Sequence, residues 1–75
     1  MSAVQVGGIY RHYKGKLYYV LALATHTETM ERLVVYVPLN EPKTARAWVR
    51  PETMFVENLH IDGKVVPRFS YENSR

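Results

Sequence analysis

Residues 10–19 hold four tyrosines, four basic side chains and one glycine within ten positions. In a β-hairpin, arginine and lysine could hold an anionic group while tyrosine or His12 stacks on a planar one, as aromatic side chains do in grooves for single-stranded nucleic acid. A structural role also fits, because tyrosines in a small domain often bury the ring and leave the hydroxyl at the rim. We therefore expect roughly half of these tyrosines to lie in the core, and the binding role to rest on Arg11, His12 and the residues they face.

A second candidate is the segment Trp48-Val49-Arg50-Pro51. Trp48 could be an aromatic platform and Arg50 an anion clamp, because a guanidinium binds a carboxylate or phosphate through a bidentate fork. Equally, Trp48 could fill the core, and Arg50 and Arg68 could form buried ion pairs. The glutamates available for such pairs are Glu28, Glu52 and Glu57.

The pair His26 and Glu28 has the His-x-Glu spacing of zinc-dependent deaminases, but those enzymes also need a Cys-x-x-Cys pair and this chain has no cysteine. The three histidines, His12, His26 and His60, lack metal-ligand spacing. We therefore expect no metal and no cofactor. Local hydrogen bonding within a turn is the simpler role for residues 26–29.

No residue pattern predicts catalysis. The chain has no cysteine nucleophile, and its serines, Ser2, Ser70 and Ser74, lie near the termini. His26 could act as a general base with Glu28 and an arginine beside it, but a chain this small offers little concave volume to exclude water. We expect a protein that is not an enzyme, with a small hydrolase centred on His26 and Glu28 as an alternative.

Length and composition predict a single domain over residues 1–75, with an ordered core at about residues 7–69 and a frayed tail at 71–75. With no cysteine, no signal peptide and no apolar run long enough to span a membrane, the chain is expected in the cytoplasm. The net charge of +3 mildly favours anionic partners.

Alternating apolar residues and turn signals predict a mainly β protein. The expected strands are residues 9–13, 17–26, 32–37, 47–50, 59–61 and 64–69, with a polar loop at 40–44 and one helical turn at 51–56. Both faces of 17–26 are apolar, which is typical of a central strand. Asp62-Gly63 is the strongest hairpin signal, because a type I′ turn requires positive φ at both central residues. Five or six short strands indicate a small antiparallel barrel or roll.

Several blocks resemble a small bacterial family of unknown function, family number 1653. The blocks are Tyr10-Arg11-His12-Tyr13-Lys14-Gly15, His26-Thr27-Glu28-Thr29, Val34-Val35-Tyr36, Trp48-Val49-Arg50-Pro51 with Met54-Phe55, and Asp62-Gly63 followed by Pro67-Arg68-Phe69. They follow one another from about Gly7 to Phe69. The resemblance implies an SH3-like barrel and no established activity.

These observations predict a binding or adaptor module whose face joins the first hairpin, the 26–29 turn and the 48–50 strand. Its stacking surface would be Tyr10, His12, Tyr36 and Trp48, and its anion contacts would be Arg11, Arg50 and Arg68. The expected partner is a protein, a peptide or another anionic ligand, and a nucleic acid or nucleotide is the alternative. We expect a monomer or a weak homodimer, because an unprotected strand edge can pair with a second copy.

Overall fold

The computed structural model describes residues 4–40 and 46–74, which form seven strands and one short helix. The strands are β1 (Gly8–His12), β2 (Leu17–Thr25), β3 (Arg32–Pro38), β4 (Trp48–Pro51), β5 (Asn58–Ile61), β6 (Lys64–Pro67) and β7 (Phe69–Ser74), and the helix is α1 (Glu52–Phe55). The prediction of a mainly β protein with one helical turn after Pro51 is confirmed. The expected loop at 40–44 falls almost entirely outside the described residues.

Five strands form the main sheet, in the order β4-β3-β2-β1-β7, and every neighbouring pair is antiparallel. β2 is central, as its two apolar faces predict. The tight turn between β1 and β2 is closed by a hydrogen bond from the Gly15 amide to the His12 carbonyl of 2.7 Å. Gly15 has φ +105, a conformation that disfavours any side chain with a Cβ.

β5 and β6 pair with each other as a separate small sheet. Their connecting residues, Asp62 and Gly63, have φ values of 51 and 76. Positive φ at both central positions is the requirement of a type I′ turn, so the Asp-Gly prediction is confirmed. A hydrogen bond of 2.9 Å from the Arg68 amide to the Glu57 carbonyl closes the base of this hairpin.

The core lies between one face of the main sheet and α1. Val20 and Val34 project from adjacent strands and are fully buried, as is Phe55 from the helix. The Phe55 ring stacks on Phe69 of β7, with centroids 4.1 Å apart and planes inclined by 4°. Tyr10 meets the Phe55 ring edge-on at 5.2 Å. This aromatic packing holds the single helical turn against the sheet.

The structure corrects the expected architecture in two respects. The main sheet is open: in the described part of the chain no strand joins its ends, β4 and β7, so the SH3-like barrel closure is not found. The residues that the structure describes also form seven strands rather than five or six. After β4 the chain turns into α1 and then into the separate hairpin, and the last strand, β7, pairs with β1 and not with β4.

Residues 71–74 of the tail predicted to fray lie in β7, which pairs with β1 as far as Gly8 opposite Ser74, and Arg75 lies outside the described residues. The Tyr71 ring packs edge-on against Tyr10 at 5.5 Å and so attaches this strand to the core. Sequence composition alone hides this, because residues 70–74 are polar apart from the tyrosine.

Replacing Val34 with alanine should lower the free energy of unfolding by about 2 kcal/mol, from two lost methyl groups plus a cavity. Val6→Ala is the matched control, because Val6 is 58% exposed whereas Val34 is fully buried. Urea unfolding followed by circular dichroism measures both. Equal destabilisation by the two substitutions would contradict the assigned core.

Candidate functional site

Alternation along β1 separates the basic residues of the first hairpin. Tyr10 and His12 lie on the core face of the main sheet, and Arg11 lies on the opposite face. There, an Arg11 Nη donates to the Gly15 carbonyl at 3.0 Å, and Arg11 Nε lies 3.4 Å from a Glu72 carboxylate oxygen. The structure therefore does not bring Arg11 together with His12.

Tyr10, expected in the stacking surface, is buried in the core. Its hydroxyl accepts a hydrogen bond of 2.9 Å from the Gln5 amide. The ring contacts Phe55 and Tyr71. This geometry gives Tyr10 a structural role.

β4 places two of the predicted residues on the core face. Trp48 pairs with Tyr36 and Arg50 pairs with Val34, and directly paired residues project to the same side of a sheet. Trp48 is 59% exposed, whereas Tyr36 is buried. Arg50 Nε donates a hydrogen bond of 3.2 Å to the Tyr36 hydroxyl, and its guanidinium carbon lies 5.8 Å from the centroid of the Phe69 ring.

Three rings form the floor beneath Arg50. The Tyr18, Tyr36 and Phe69 centroids lie 5.3 to 5.7 Å apart in edge-to-face pairs. His12 packs edge-on against Phe69 at 5.0 Å. We call His12, Tyr18, Tyr36, Arg50, Arg68 and Phe69 the cationic aromatic cluster.

Tyr18 and Phe69 were not among the predicted site residues. Tyr18 lies on the same face of its strand as Val20, so the alternation of β2 already indicates that it shares the core face. Phe69 gives no comparable signal, because its position follows from the long-range pairing of His12 with Phe69 between β1 and β7.

His12 is held as a neutral hydrogen-bond donor. The Lys14 amide donates to His12 Nδ1 at 3.2 Å, so the proton of the neutral ring resides on Nε2. Burial lowers the pKa of His12, and the positive charges of Arg50, Lys14 and Arg68 lower this pKa further. The Nε2–H group of neutral His12 is therefore a hydrogen-bond donor that adds no positive charge to the cluster.

The two arginines of the cluster differ in their partners. Arg68 forms an ion pair with Glu57 at 2.9 Å. Its Nε is buried and has no hydrogen-bond partner among the described residues. Arg50 pairs with no carboxylate within residues 4–40 and 46–74, so the cluster keeps an uncompensated positive charge.

His26 and Glu28 lie far from the cluster in an exposed turn. His26 Nδ1 accepts from the amides of Glu28 and Thr29 at 3.2 and 3.3 Å, and its backbone carbonyl accepts from Met30 at 2.8 Å. Thr25, just before this turn, is seven residues beyond Tyr18 on β2, about 23 Å at 3.3 Å per residue. The expected face does not include this turn.

The described residues contain no group of three or more His, Cys, Asp or Glu side chains able to hold a metal ion. Among the same residues, no helix is long and apolar enough to cross a membrane. The side chains of the cluster offer hydrogen-bond donors and a positive charge above aromatic rings.

The lowered pKa of His12 predicts a pH-dependent stability. Because the unfolded chain takes up this proton near pH 6.5 and the folded chain only at lower pH, the free energy of unfolding should decrease as pH falls below about 6.5. His12→Asn keeps an acceptor for the Lys14 amide but does not titrate, so it should reduce this decrease. Urea unfolding between about pH 8 and about pH 5 tests this, and an unchanged decrease in the variant would contradict it.

Comparison with known proteins supports the fold and places the chain in a family. The crystal structure of a DUF1653 protein from Bordetella bronchiseptica matches with a TM-score of 0.82 and 33% sequence identity, over 97% of this chain and 92% of that one. No curated protein matches the chain. The model of the family described as protein of unknown function (DUF1653) matches residues 8–71. With its open, mainly β fold and its matched residues running from β1 into β7, this chain belongs to the DUF1653 family.

Proposed function

We propose that this domain is a binding module that holds an anionic group of its partner at the cationic aromatic cluster. The observation that carries the proposal is the state of Arg50. Its guanidinium is oriented by the Tyr36 hydroxyl and the Phe69 ring, yet it faces no carboxylate among the described residues. A fixed guanidinium with free donors is suited to bind a carboxylate or phosphate.

The orientation of Arg50 lowers the cost of binding. A free arginine side chain loses rotamer freedom when it grips a ligand, whereas Arg50 is already restrained through its Nε. Its terminal nitrogens remain as a fork for two acceptor oxygens. His12 Nε2–H offers a further donor that needs no protonation.

Trp48 extends the site beyond the anion contact. Its ring lies on the same face as Arg50 and is 59% exposed, so it offers an aromatic surface beside the charge. An exposed tryptophan next to a cation favours a ligand with a planar or apolar group adjoining its acid. The proposed site uses this part of the predicted basic aromatic face and leaves out Arg11, His26 and Glu28.

Phenyl phosphate, an anion attached to a planar ring, is a suitable probe. Trp48 is the only tryptophan, so its fluorescence reports binding directly. Arg50→Gln should weaken binding roughly 10- to 150-fold, because a charge-assisted hydrogen bond contributes about 1.5–3 kcal/mol.

Arg11→Gln is the matched control, because it removes the same charge on the opposite face of the sheet and should leave binding unchanged. Inorganic phosphate, which lacks the ring, should bind more weakly than phenyl phosphate. Equal losses in the two arginine variants would mean that net charge and not the cluster attracts the probe.

Nucleic acid is the second candidate ligand. Trp48 is exposed beside Arg50, and Lys14 is near enough to His12 to lower its pKa. Proteins that bind single strands use such aromatic and basic side chains for base stacking and phosphate contact. The hydrolase alternative gains no similar support, because two backbone amides already occupy Nδ1 of His26.

A short oligothymidylate titrated at two salt concentrations separates these candidates. If two phosphates are neutralised, a tenfold rise in salt should weaken binding about 25-fold, because counterions are released from the strand. The nucleic-acid candidate would be removed if oligothymidylate binding depends only weakly on salt, or if the oligothymidylate does not bind while phenyl phosphate does. Either result would retain the anion-binding module.

A further inference from the structure

The edge of the main sheet at β4 differs from the edge at β7. Natural sheet edges are protected by bulges, charges or covering segments, because unpaired backbone groups otherwise invite another strand. β7 meets β1 through a register shift and carries Glu72, which pairs with Arg11. β4 hydrogen-bonds only to β3 within residues 4–40 and 46–74, and its exposed side chains Trp48 and Val49 are uncharged.

We propose that the β4 edge accepts an extended acidic peptide segment of a partner protein as an additional strand, with a glutamate of that segment bound by Arg50. The inference rests on the proposed function, because the carboxylate enters the same cationic aromatic cluster. The peptide's backbone would supply affinity through the strand ladder, and its side chains would supply specificity.

The register at this edge defines the side chains that fit. A residue directly opposite Arg50 has its Cβ about 5 Å away on the same face. Because Arg50 leads inward towards Tyr36 and Phe69, the longer glutamate reaches its guanidinium better than aspartate. The next residue of the peptide faces Val49 on the other side of the sheet, and the one after it meets Trp48. The recognised segment therefore has one acidic residue followed by two apolar residues if it runs antiparallel to β4. If it runs parallel to β4, the order of the three residues is reversed.

Charge favours an acidic partner over a second copy of this chain. The charges of Arg50, Lys14 and Arg68 all lower the pKa of His12, and of these three side chains only Arg68 forms an ion pair with a carboxylate among the described residues, that of Glu57. β4 itself has the sequence Trp48-Val49-Arg50-Pro51 and contains no acid. A second copy paired through its own β4 would therefore offer Arg50 no carboxylate from the paired strand.

The test uses the full chain and two probe peptides, acetyl-Thr-Glu-Val-Leu-Thr-amide and the same residues in reverse order, so that both strand directions are covered. Binding should shift the amide resonances of β4 and slow their hydrogen exchange. Changing the peptide's Glu to Gln should weaken binding about tenfold or more against the wild-type chain. The same change in the peptide should have little effect on its binding to the Arg50→Gln variant, because that variant already lacks the guanidinium.

A further pair of measurements isolates the edge from the anion contact. Val49→Lys places a charge on the exposed edge without entering the cluster, so it should weaken peptide binding while phenyl phosphate still binds as before. Methylating the backbone nitrogens of the peptide should also abolish its binding, because a strand ladder needs those donors.

The outcomes separate this inference from the function on which it rests. Binding of phenyl phosphate with no slowing of exchange in β4 by either peptide would overturn the strand addition and leave the anion site intact. If hydrogen exchange in β4 slows with rising protein concentration in the absence of peptide, the edge pairs with a second copy of this chain. That result would also overturn the peptide strand addition. If neither phenyl phosphate nor peptide binds, both proposals fall.

Discussion

The aromatic ring of Phe69 is the contact on which most of this small structure depends. One side of the ring stacks on Phe55 and so fixes the helical turn to the sheet. Tyr18, Tyr36 and His12 pack edge-on around it, and the Arg50 guanidinium lies near its face. The same ring therefore belongs to the core and to the floor of the candidate site. In a chain of 75 residues there is little room for separate layers, so core and site share residues.

Local signals in the sequence predicted the local structure well. Asp62-Gly63 specifies its turn by backbone conformation, Pro51 precedes the helical turn, and the apolar β2 is central. The expected closure of the sheet was wrong, and the pairing of residues 69–74 with β1 was not predicted. Both depend on pairing between residues far apart in sequence, such as Gly8 with Ser74, and no local pattern encodes such a pairing.

The same distinction applies to the site. His12, Tyr36, Arg50 and Arg68 were predicted from residue type and do meet in one cluster. Arg11 was grouped with His12, although adjacent residues of a strand point to opposite faces. An open sheet keeps those faces apart. His26 and Glu28 were grouped with the first hairpin and the 48–50 strand, whereas the extended β2 keeps their turn about 23 Å from Tyr18.

The small sheet formed by β5 and β6 has a different consequence. Its two strands pair with each other, and in the described part of the chain they share no strand pairing with the main sheet. Its tip, at Asp62 and Gly63, is exposed and has the positive φ values of its turn type. A change of length at this tip should therefore leave the strand pairing of the main sheet unchanged. The tip is a natural point at which to insert a reporter or a tether without altering the rest of the domain.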